Sequence, residues 1–230
     1  MDSPPRFKRP PEDSPARKAS HRFNIERSEM IDLLRHRGIR NERLLTAMSV
    51  VDRKEFVPGP FANRAYEDSA LPIGESQTIT QPYTAAFMTE CLDPREGDRI
   101  LEVGTGSGYQ AAILAEMGAR VFTIERHMNL LTEARKVIEK LGYDIASKCG
   151  DGTIGWKEFA PFEGILVTAG APDIPQPLLE QLGEGGRLVI PIGDMDVQNL
   201  HVIGRRKERY ETRVVSGFKF VPLIGKKGWK

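Results

Sequence analysis

Three glycines occupy alternate positions in the segment Arg-Ile-Leu-Glu-Val-Gly-Thr-Gly-Ser-Gly, residues 99 to 108, directly after an apolar run typical of a buried strand. Gly104, Gly106 and Gly108 lack side chains, so a ligand can approach their backbone where the strand gives way to a helix N-terminus. A dinucleotide-binding turn would read G-x-G-x-x-G and bind a pyrophosphate. This turn reads E-x-G-x-G-x-G, and the Glu102 carboxylate before it suits a cationic ligand better than a diphosphate. The pattern predicts a turn that binds a nucleotide cofactor.

Two further acidic residues stand where the next two strands are expected to end. Glu125 lies 21 residues after Gly104, a position from which a carboxylate can accept hydrogen bonds from both ribose hydroxyls. The alternative for Glu125 is an ordinary surface carboxylate. Asp151, between Gly150 and Gly152, can accept a hydrogen bond from an adenine amino group, but it can equally hold an Asx turn. The spacing leaves both roles of Asp151 open.

The composition favours some classes of protein and argues against others. A chain of 230 residues is long enough for one α/β domain with a sizeable core. The 33 Lys and Arg residues nearly balance the 32 Asp and Glu residues, so no global field attracts nucleic acid or an anionic membrane. Cys91 and Cys149 lie in no motif of metal-ligand spacing, and we expect them to be reduced and structural, with no metal bound. Because neither a membrane span nor a secretory signal is evident, we expect a cytoplasmic protein, and we expect it to be a monomer.

The chain divides into a tail and one expected domain. Residues 1–22 combine prolines with charged residues and contain almost no apolar side chains, a composition that predicts a disordered, solvated extension. Residues 23–230 are predicted to form a single domain. Within it, we expect residues 23–97 to supply helices and loops and residues 98–230 to supply the cofactor-binding sheet.

The first part of this domain carries helix signals. Asn24 is a plausible N-cap of a helix that Gly38 ends, and Asn41 can cap a second helix. The second helix has an apolar face that should pack against a larger body, formed by Leu44, Leu45, Met48 and Val51. We expect residues 61–83 to be irregular and residues 84–92 to be helical.

Beyond residue 98, short apolar runs alternate with helical patterns, which is typical of a doubly wound, mostly parallel sheet. Strands are expected at 99–103, 120–124, 144–148, 163–168, 186–192, 198–204 and 209–220. Helices are expected at 108–117, 128–141 and 175–182. In such sheets the ligand lies at the carboxyl ends of the central strands, where the polar residues above are placed.

Several segments together resemble one enzyme family over about residues 25 to 229. They are the glycine turn and Leu71-Pro72-Ile73-Gly74, Gln77-Thr78-Ile79-Thr80-Gln81-Pro82, Gly150-Asp151-Gly152 and Phe220-Val221-Pro222-Leu223. The chain thereby resembles the protein-L-isoaspartate (D-aspartate) O-methyltransferases. The glycine turn alone would indicate only a Rossmann-like S-adenosylmethionine-dependent methyltransferase, whereas the segments at 71–74 and 77–82 point to this one member of the class.

The resemblance implies an activity and its partners. The methyl group of S-adenosyl-L-methionine would pass to the α-carboxyl group of an L-isoaspartyl residue in a damaged protein, with D-aspartyl residues as a second acceptor. S-adenosyl-L-homocysteine would be the other product. The ester then collapses through a succinimide toward normal aspartate, so the implied role is protein repair. Neither nucleic acid nor a membrane is expected as a partner.

The resemblance also assigns roles to residues of this chain. The active-site hydroxyl of the family maps onto Thr80, where the family usually carries Ser, and the extra methyl group of Thr restricts χ1 and takes up space. The Gly-Asp pair beside the adenine maps onto Gly150 and Asp151. The residues predicted to bind the cofactor are Gln77, Ile79, Glu102, Gly104, Thr105, Gly106, Ser107, Gly108, Glu125, Asp151 and Gly152.

The expected chemistry needs no general base. A carboxylate is already ionised at pH 7, and the sulfonium is a strong methyl donor, which agrees with the scattered positions of the four histidines. Catalysis would come mostly from aligning the nucleophile and the methyl carbon, an effect that can supply about 7 to 11 kcal/mol. We expect Thr80 and nearby backbone amides to orient the substrate carboxylate, and Glu102 to fix the turn or the cationic end of the donor.

Three other functions remain open from the residues. An NAD-linked oxidoreductase would explain Glu125 but neither the glycine spacing nor the hydroxyl-rich segment at 77–82. A methyltransferase of small molecules or nucleic acid would leave that segment unexplained, and the neutral charge argues against nucleic acid. A non-catalytic module that binds S-adenosylmethionine is the third alternative, and turnover of an isoaspartyl peptide would distinguish it.

Overall fold

The computed structural model describes residues 23–207 and 209–230. The predicted disordered tail, residues 1–22, lies outside the described residues, and the division into a tail and a single domain over 23–230 stays a prediction. The helices are α1 (Asn24–His36), α2 (Glu42–Val50), α3 (Pro82–Leu92), α4 (Tyr109–Glu116), α5 (Met128–Lys140) and α6 (Gln176–Gln181). The strands are β1 (Leu71–Gly74), β2 (Gln77–Ile79), β3 (Arg99–Val103), β4 (Arg120–Glu125), β5 (Ala146–Cys149), β6 (Phe162–Val167), β7 (Leu182–Gly193), β8 (Gln198–Arg206) and β9 (Arg209–Phe218).

Seven strands form one sheet in the order β5-β4-β3-β6-β7-β8-β9. The pairs from β5 to β7 are parallel, whereas β8 and β9 add to the edge as an antiparallel meander. The predicted doubly wound, mostly parallel sheet is therefore confirmed. Its central strands are buried along most of their length: β3 is buried from Ile100 to Val103, and Glu163 is the one exposed residue of β6.

The helices ahead of the sheet largely follow the sequence signals. Asn41 caps α2 by accepting a hydrogen bond from the backbone N–H of Leu44, and Gly38 follows α1 with a φ of +102°. The predicted cap of α1 is wrong, because Phe23 occupies the N-cap position and Asn24 is the first helical residue. The Asn24 side chain instead accepts a hydrogen bond from Arg27 at 2.7 Å. The apolar face predicted for α2 is buried as expected.

A two-stranded hairpin replaces part of the irregular segment expected over residues 61–83. Strands β1 and β2 pair antiparallel, and Glu75 and Ser76 connect them with φ angles of 50° and 55°. Two positive φ values are typical of the tight turn that matches the twist of a hairpin, although Asn and Gly are the usual residues there. The sequence carries neither signal, which explains the wrong prediction. The hairpin brings Gln77 and Ile79 to the carboxyl edge of the large sheet.

Candidate active site

A cavity opens at the carboxyl ends of β3, β4 and β6, the place that the crossover rule predicts. Its wall includes the second strand of the hairpin with Thr80, the glycine turn with the start of α4, the ends of β4 and β6, and a C-terminal segment. The lining includes Gln77, Ile79, Thr80, Gly104, Thr105, Gly106, Ser107, Glu125 and Gly152, all of which the sequence predicted as site residues. Glu102, Gly108 and Asp151 are not part of this lining.

The glycine turn adopts backbone conformations that explain its composition. Gly104, Gly106 and Gly108 have φ angles of +101°, +53° and +89°, which residues with side chains rarely adopt. A Cβ atom on Gly104 would lie 2.4 Å from Oγ1 of Thr168. That hydroxyl lies 2.9 Å from the Gly104 carbonyl oxygen, to which it donates. Thr168, directly after β6, thus holds the glycine turn by this hydrogen bond. Position 104 must be glycine because a side chain there would clash with the Thr168 hydroxyl.

Glu102 fixes the turn through two buried threonines. The hydroxyl of Thr123 donates to Oε2 of Glu102 at 2.5 Å, and the hydroxyls of Thr105 and Thr123 lie 2.6 Å apart. Since the single proton of Thr123 is directed to Glu102, Thr105 is the donor in the second bond. Burial raises the pKa of Glu102 to about 8, against an opposing hydrogen bond from Thr123. The carboxyl group therefore supports the turn from within the core, and its Oε1 atom has no hydrogen-bond partner.

Glu125 lies at the mouth of the same turn. Its Oε2 atom accepts the backbone N–H of Gly106 at 2.9 Å, and its Oε1 atom accepts the N–H of His127 at 3.0 Å. Each carboxylate oxygen can accept a second hydrogen bond, so the position stays available to the paired hydroxyls of a ribose. The side chain is 6% exposed, which is far from the freely solvated carboxylate of the alternative interpretation.

Asp151 forms the Asx turn that the sequence left open. Its Oδ1 atom accepts the N–H and the hydroxyl of Thr153, at 2.9 and 2.6 Å, and its Oδ2 atom accepts the N–H of Lys226 at 2.8 Å. Burial raises the pKa of Asp151, but these hydrogen bonds outweigh it and leave the pKa lowered. Asp151 thus ties the start of a short helical turn to the C-terminal segment, while its predicted contact with adenine stays a prediction. Gly152 does line the cavity, and a Cβ atom there would lie 2.4 Å from Cγ1 of Val103.

Thr80 follows the hairpin and lines the same cavity as the glycine turn. Its carbonyl oxygen accepts a hydrogen bond from Nη2 of Arg53 at 2.8 Å, so a buried arginine holds the segment that carries the predicted catalytic hydroxyl. The sequence gave no sign of this contact, because the two residues are 27 positions apart.

The C-terminal segment supplies a wall that the sequence analysis did not assign to the site. Residues 221–224 line the cavity. Two backbone bonds join them to the end of β6: the N–H of Gly170 donates to the carbonyl of Val221 at 2.8 Å, and the N–H of Leu223 donates to the carbonyl of Gly170 at 2.7 Å. The only sign in the sequence is that residues 220–223 belong to the resemblance.

Over residues 23–207 and 209–230, no three His, Cys, Asp or Glu side chains are grouped so that they could hold a metal ion. In the same ranges, every helix is too short or too polar to cross a membrane.

The family model for protein-L-isoaspartate(D-aspartate) O-methyltransferase matches residues 25–228 of this sequence. The chain belongs to this family. Curated protein-L-isoaspartate O-methyltransferases include one from Salinibacter ruber that is 51% identical over 214 residues, 88% of this chain and 93% of the relative. Another, from Chlorobaculum tepidum, is 52% identical over 205 residues, 89% of this chain and 96% of the relative.

Solved structures of protein-L-isoaspartate O-methyltransferases share the fold. One is 28% identical and superposes with a TM-score of 0.80, over 88% of this chain and 67% of the other. A second, a putative enzyme of Plasmodium falciparum in complex with S-adenosyl-L-homocysteine, is 24% identical with a TM-score of 0.76, over 86% of this chain and 98% of the other. Membership in the isoaspartate O-methyltransferases confirms both the resemblance and the Rossmann-like fold class.

Proposed function

We propose that this protein transfers the methyl group of S-adenosyl-L-methionine to the α-carboxyl group of L-isoaspartyl residues in damaged proteins. Family membership supports this activity. The observation that carries it within the molecule is one cavity that both the glycine turn and the Thr80 segment line. D-aspartyl residues are the second acceptor class, as the family description indicates. The NAD-linked alternative does not agree with this membership.

The residues at the cavity fit the donor. The three glycines of the turn leave backbone that a ligand can approach, and the Glu125 carboxylate beside the turn disfavours a diphosphate. When bound, S-adenosylmethionine supplies a methyl group activated by its sulfonium charge. We assign the two ribose hydroxyls to Glu125 and the turn backbone at Gly104 to Gly106 to the rest of the donor. A related structure that contains S-adenosyl-L-homocysteine supports the choice of donor.

Further residues complete the proposed donor site. Gln77, Ile79, Thr105, Ser107 and Gly152 line the cavity and contact the donor in this proposal. Gly108 and Glu102 act indirectly: Gly108 is the N-cap of α4, and Glu102 braces the glycine turn. Asp151 positions Gly152 and is the proposed acceptor of the adenine amino group.

The acceptor needs orientation rather than deprotonation. Its α-carboxylate is ionised at neutral pH, so it attacks the methyl carbon without a general base. We assign its orientation to the Thr80 hydroxyl, assisted by backbone N–H groups of the same segment. Alignment of the reacting atoms then supplies most of the rate enhancement. Thr80 retains the hydroxyl of the usual Ser and adds a methyl group that narrows its rotamer choice.

One labelling experiment tests the proposal. The protein is incubated with radiolabelled S-adenosylmethionine and two matched peptides, one isoaspartyl and one aspartyl. Base-labile methyl ester on the isoaspartyl peptide alone is the expected result. Equal labelling of both peptides would indicate a different acceptor. Absence of label on either, with S-adenosylmethionine still bound, would favour a non-catalytic binding module.

The cellular setting belongs to the same proposal. We infer a monomer that acts in the cytoplasm on protein substrates and binds no nucleic acid. The near balance of 33 basic and 32 acidic residues supports the last point. Size-exclusion chromatography with light scattering tests the oligomeric state.

A further inference from the structure

Arg53 is an arginine that the core encloses completely. Its side chain is 0% exposed, in a short helical turn (Arg53–Phe56) between α2 and the hairpin. Nε donates to the carbonyl of Ala65 and Nη2 to that of Thr80, both at 2.8 Å. Its Cζ atom lies 4.7 Å from the centre of the Tyr109 ring. These contacts fix the guanidinium in place but supply no negative charge.

The charge of Arg53 has no carboxylate partner. In the described part of the chain no Asp or Glu oxygen lies within 4 Å of it, and Nη1 makes no hydrogen bond. The neighbouring acids are engaged elsewhere: Asp68 pairs with Arg37, and Asp52 accepts the hydroxyl of Tyr66 at 2.5 Å. Burial lowers the pKa of Arg53, and Tyr109 and Asp68 oppose the change. A buried charge is normally paired, because removing it from water is expensive.

The unpaired cation lies directly behind the proposed acceptor site. Of the residues that Arg53 contacts, Thr80 and Tyr109 line the cavity. The acceptor in the proposed reaction is a carboxylate, the kind of group that could balance this charge. In a cavity walled by protein, the field of a fixed charge is screened less than in water.

We propose that Arg53 is a positioning residue for the acceptor: it fixes the Thr80 segment and supplies the positive potential that selects an ionised carboxyl group over a neutral one. This inference rests on the proposed function. It makes Arg53 a determinant of substrate charge, which acts through Thr80 and through the field rather than by direct contact.

The test compares two peptides that differ in one charge. An isoaspartyl peptide carries the α-carboxylate, and the matching isoasparaginyl peptide carries an α-carboxamide of nearly the same shape. Dissociation constants of both are measured by calorimetry with S-adenosylhomocysteine present, for the full-length protein and its variants. The dissociation constant of the isoasparaginyl peptide divided by that of the isoaspartyl peptide reports the preference for negative charge. A purely structural change would weaken both peptides together and leave the ratio unchanged.

Three variants separate charge from packing. Arg53→Met removes the charge, Arg53→Lys retains it without the fork of hydrogen bonds, and Arg27→Met is the control. Arg27 is also buried, at 5% exposed, but it lies over the ring of Tyr66 and outside the cavity lining. A unit charge about 10 Å away in an effective dielectric of about 20 changes affinity roughly tenfold. We therefore expect Arg53→Met to lower the ratio about tenfold. Arg53→Lys should keep most of the ratio, while kcat for methylation of the isoaspartyl peptide falls. Arg27→Met should change neither the ratio nor kcat.

An unchanged ratio in Arg53→Met would overturn the inference. If Arg53→Met does not fold, as judged by loss of S-adenosylhomocysteine binding, the wild-type protein still decides the matter. The pKa of the bound peptide α-carboxyl group, measured by ¹³C NMR, should be lower than in the free peptide, and an unshifted value would refute the proposed field. Failure of the proposed function is a separate outcome, since the labelling assay would then show no methyl ester specific to the isoaspartyl peptide even with the wild-type protein.

Discussion

Replacing Glu102 by Gln should stabilise the protein at neutral pH. The carboxyl group is 0% exposed, and burial raises its pKa from the usual 4.5 to about 8. Between these two values the folded protein keeps a proton that the unfolded chain releases. The unfolded state therefore binds fewer protons, so the free energy of unfolding falls as pH rises through this window and levels off above about pH 8. Gln is neutral at every pH and removes this penalty.

The size of the effect follows from the two pKa values. Each pH unit above 4.5 lowers the free energy of unfolding by about 1.4 kcal/mol, so the penalty at pH 7 is about 3 kcal/mol. Glu102→Gln should recover a large part of it, since the Gln carbonyl can accept the Thr123 hydroxyl as Oε2 does. The Gln amide group would occupy the place of Oε1, which has no partner, and its unsatisfied N–H groups would reduce the gain by about 1 kcal/mol or more.

Urea unfolding of both proteins from pH 4.5 to 8.5 measures this difference. The variant should gain stability relative to the wild type from pH 4.5 to about pH 8, and near pH 4.5 it should be the less stable of the two by the cost of its unsatisfied amide. Glu102→Ala is the control for the brace itself. It removes the same titration, so its stability relative to the wild type should rise with pH in parallel with Glu102→Gln, but it leaves the Thr123 hydroxyl without its acceptor and should be the less stable variant at every pH. A difference between wild type and Glu102→Gln that stays constant with pH would refute the reasoning.

Three further predictions concern activity. Thr80→Ser should retain or raise the rate of isoaspartyl methylation and Thr80→Val should lower it, with donor affinity changed less in both. Steady-state kinetics measure the rates, and calorimetry of S-adenosylhomocysteine measures the donor affinity. Equal rates for the Ser and Val variants would show that the hydroxyl has no part in the mechanism. Gly104→Ala should weaken donor binding at least about tenfold, since the new methyl group would lie 2.4 Å from the Thr168 hydroxyl at a φ of +101°. Glu125→Ala should lower donor affinity by about 1 to 3 kcal/mol, because it removes the proposed ribose acceptor and leaves the Gly106 N–H unpaired, whereas adenine affinity should change little in a competition assay.

The parts of the fold that short-range signals determine could be predicted from sequence. Strand β3 and the glycine turn come from an apolar run followed by residues that tolerate positive φ, and α2 begins at an Asn whose side chain caps it. The parallel order of the strands follows from alternation with helices. The longer extent of β7, Leu182–Gly193 against the predicted 186–192, depends on its partners β6 and β8.

The parts of the fold and the site that long-range contacts determine could not be predicted from sequence. The hairpin was missed because its turn residues, Glu75 and Ser76, are unusual at positive φ. The position of Arg53 could not be predicted, because it depends on hydrogen bonds to carbonyl groups 12 and 27 residues away. Glu102 was expected near the turn, but only its two threonine partners reveal that it acts from the core. The proposed donor-binding residues at the glycine turn were thus easier to predict from sequence than the residues that brace them.

The wall formed by residues 221–224 has a consequence for how the enzyme becomes functional. The glycine turn and Thr80 are synthesised more than 100 residues before this wall, which Gly170 and Asp151 hold in place. A growing chain can therefore pair its central strands while one side of the pocket is still missing. Chains that stop before residue 221 should lack this wall and be inactive, even where their central strands have paired.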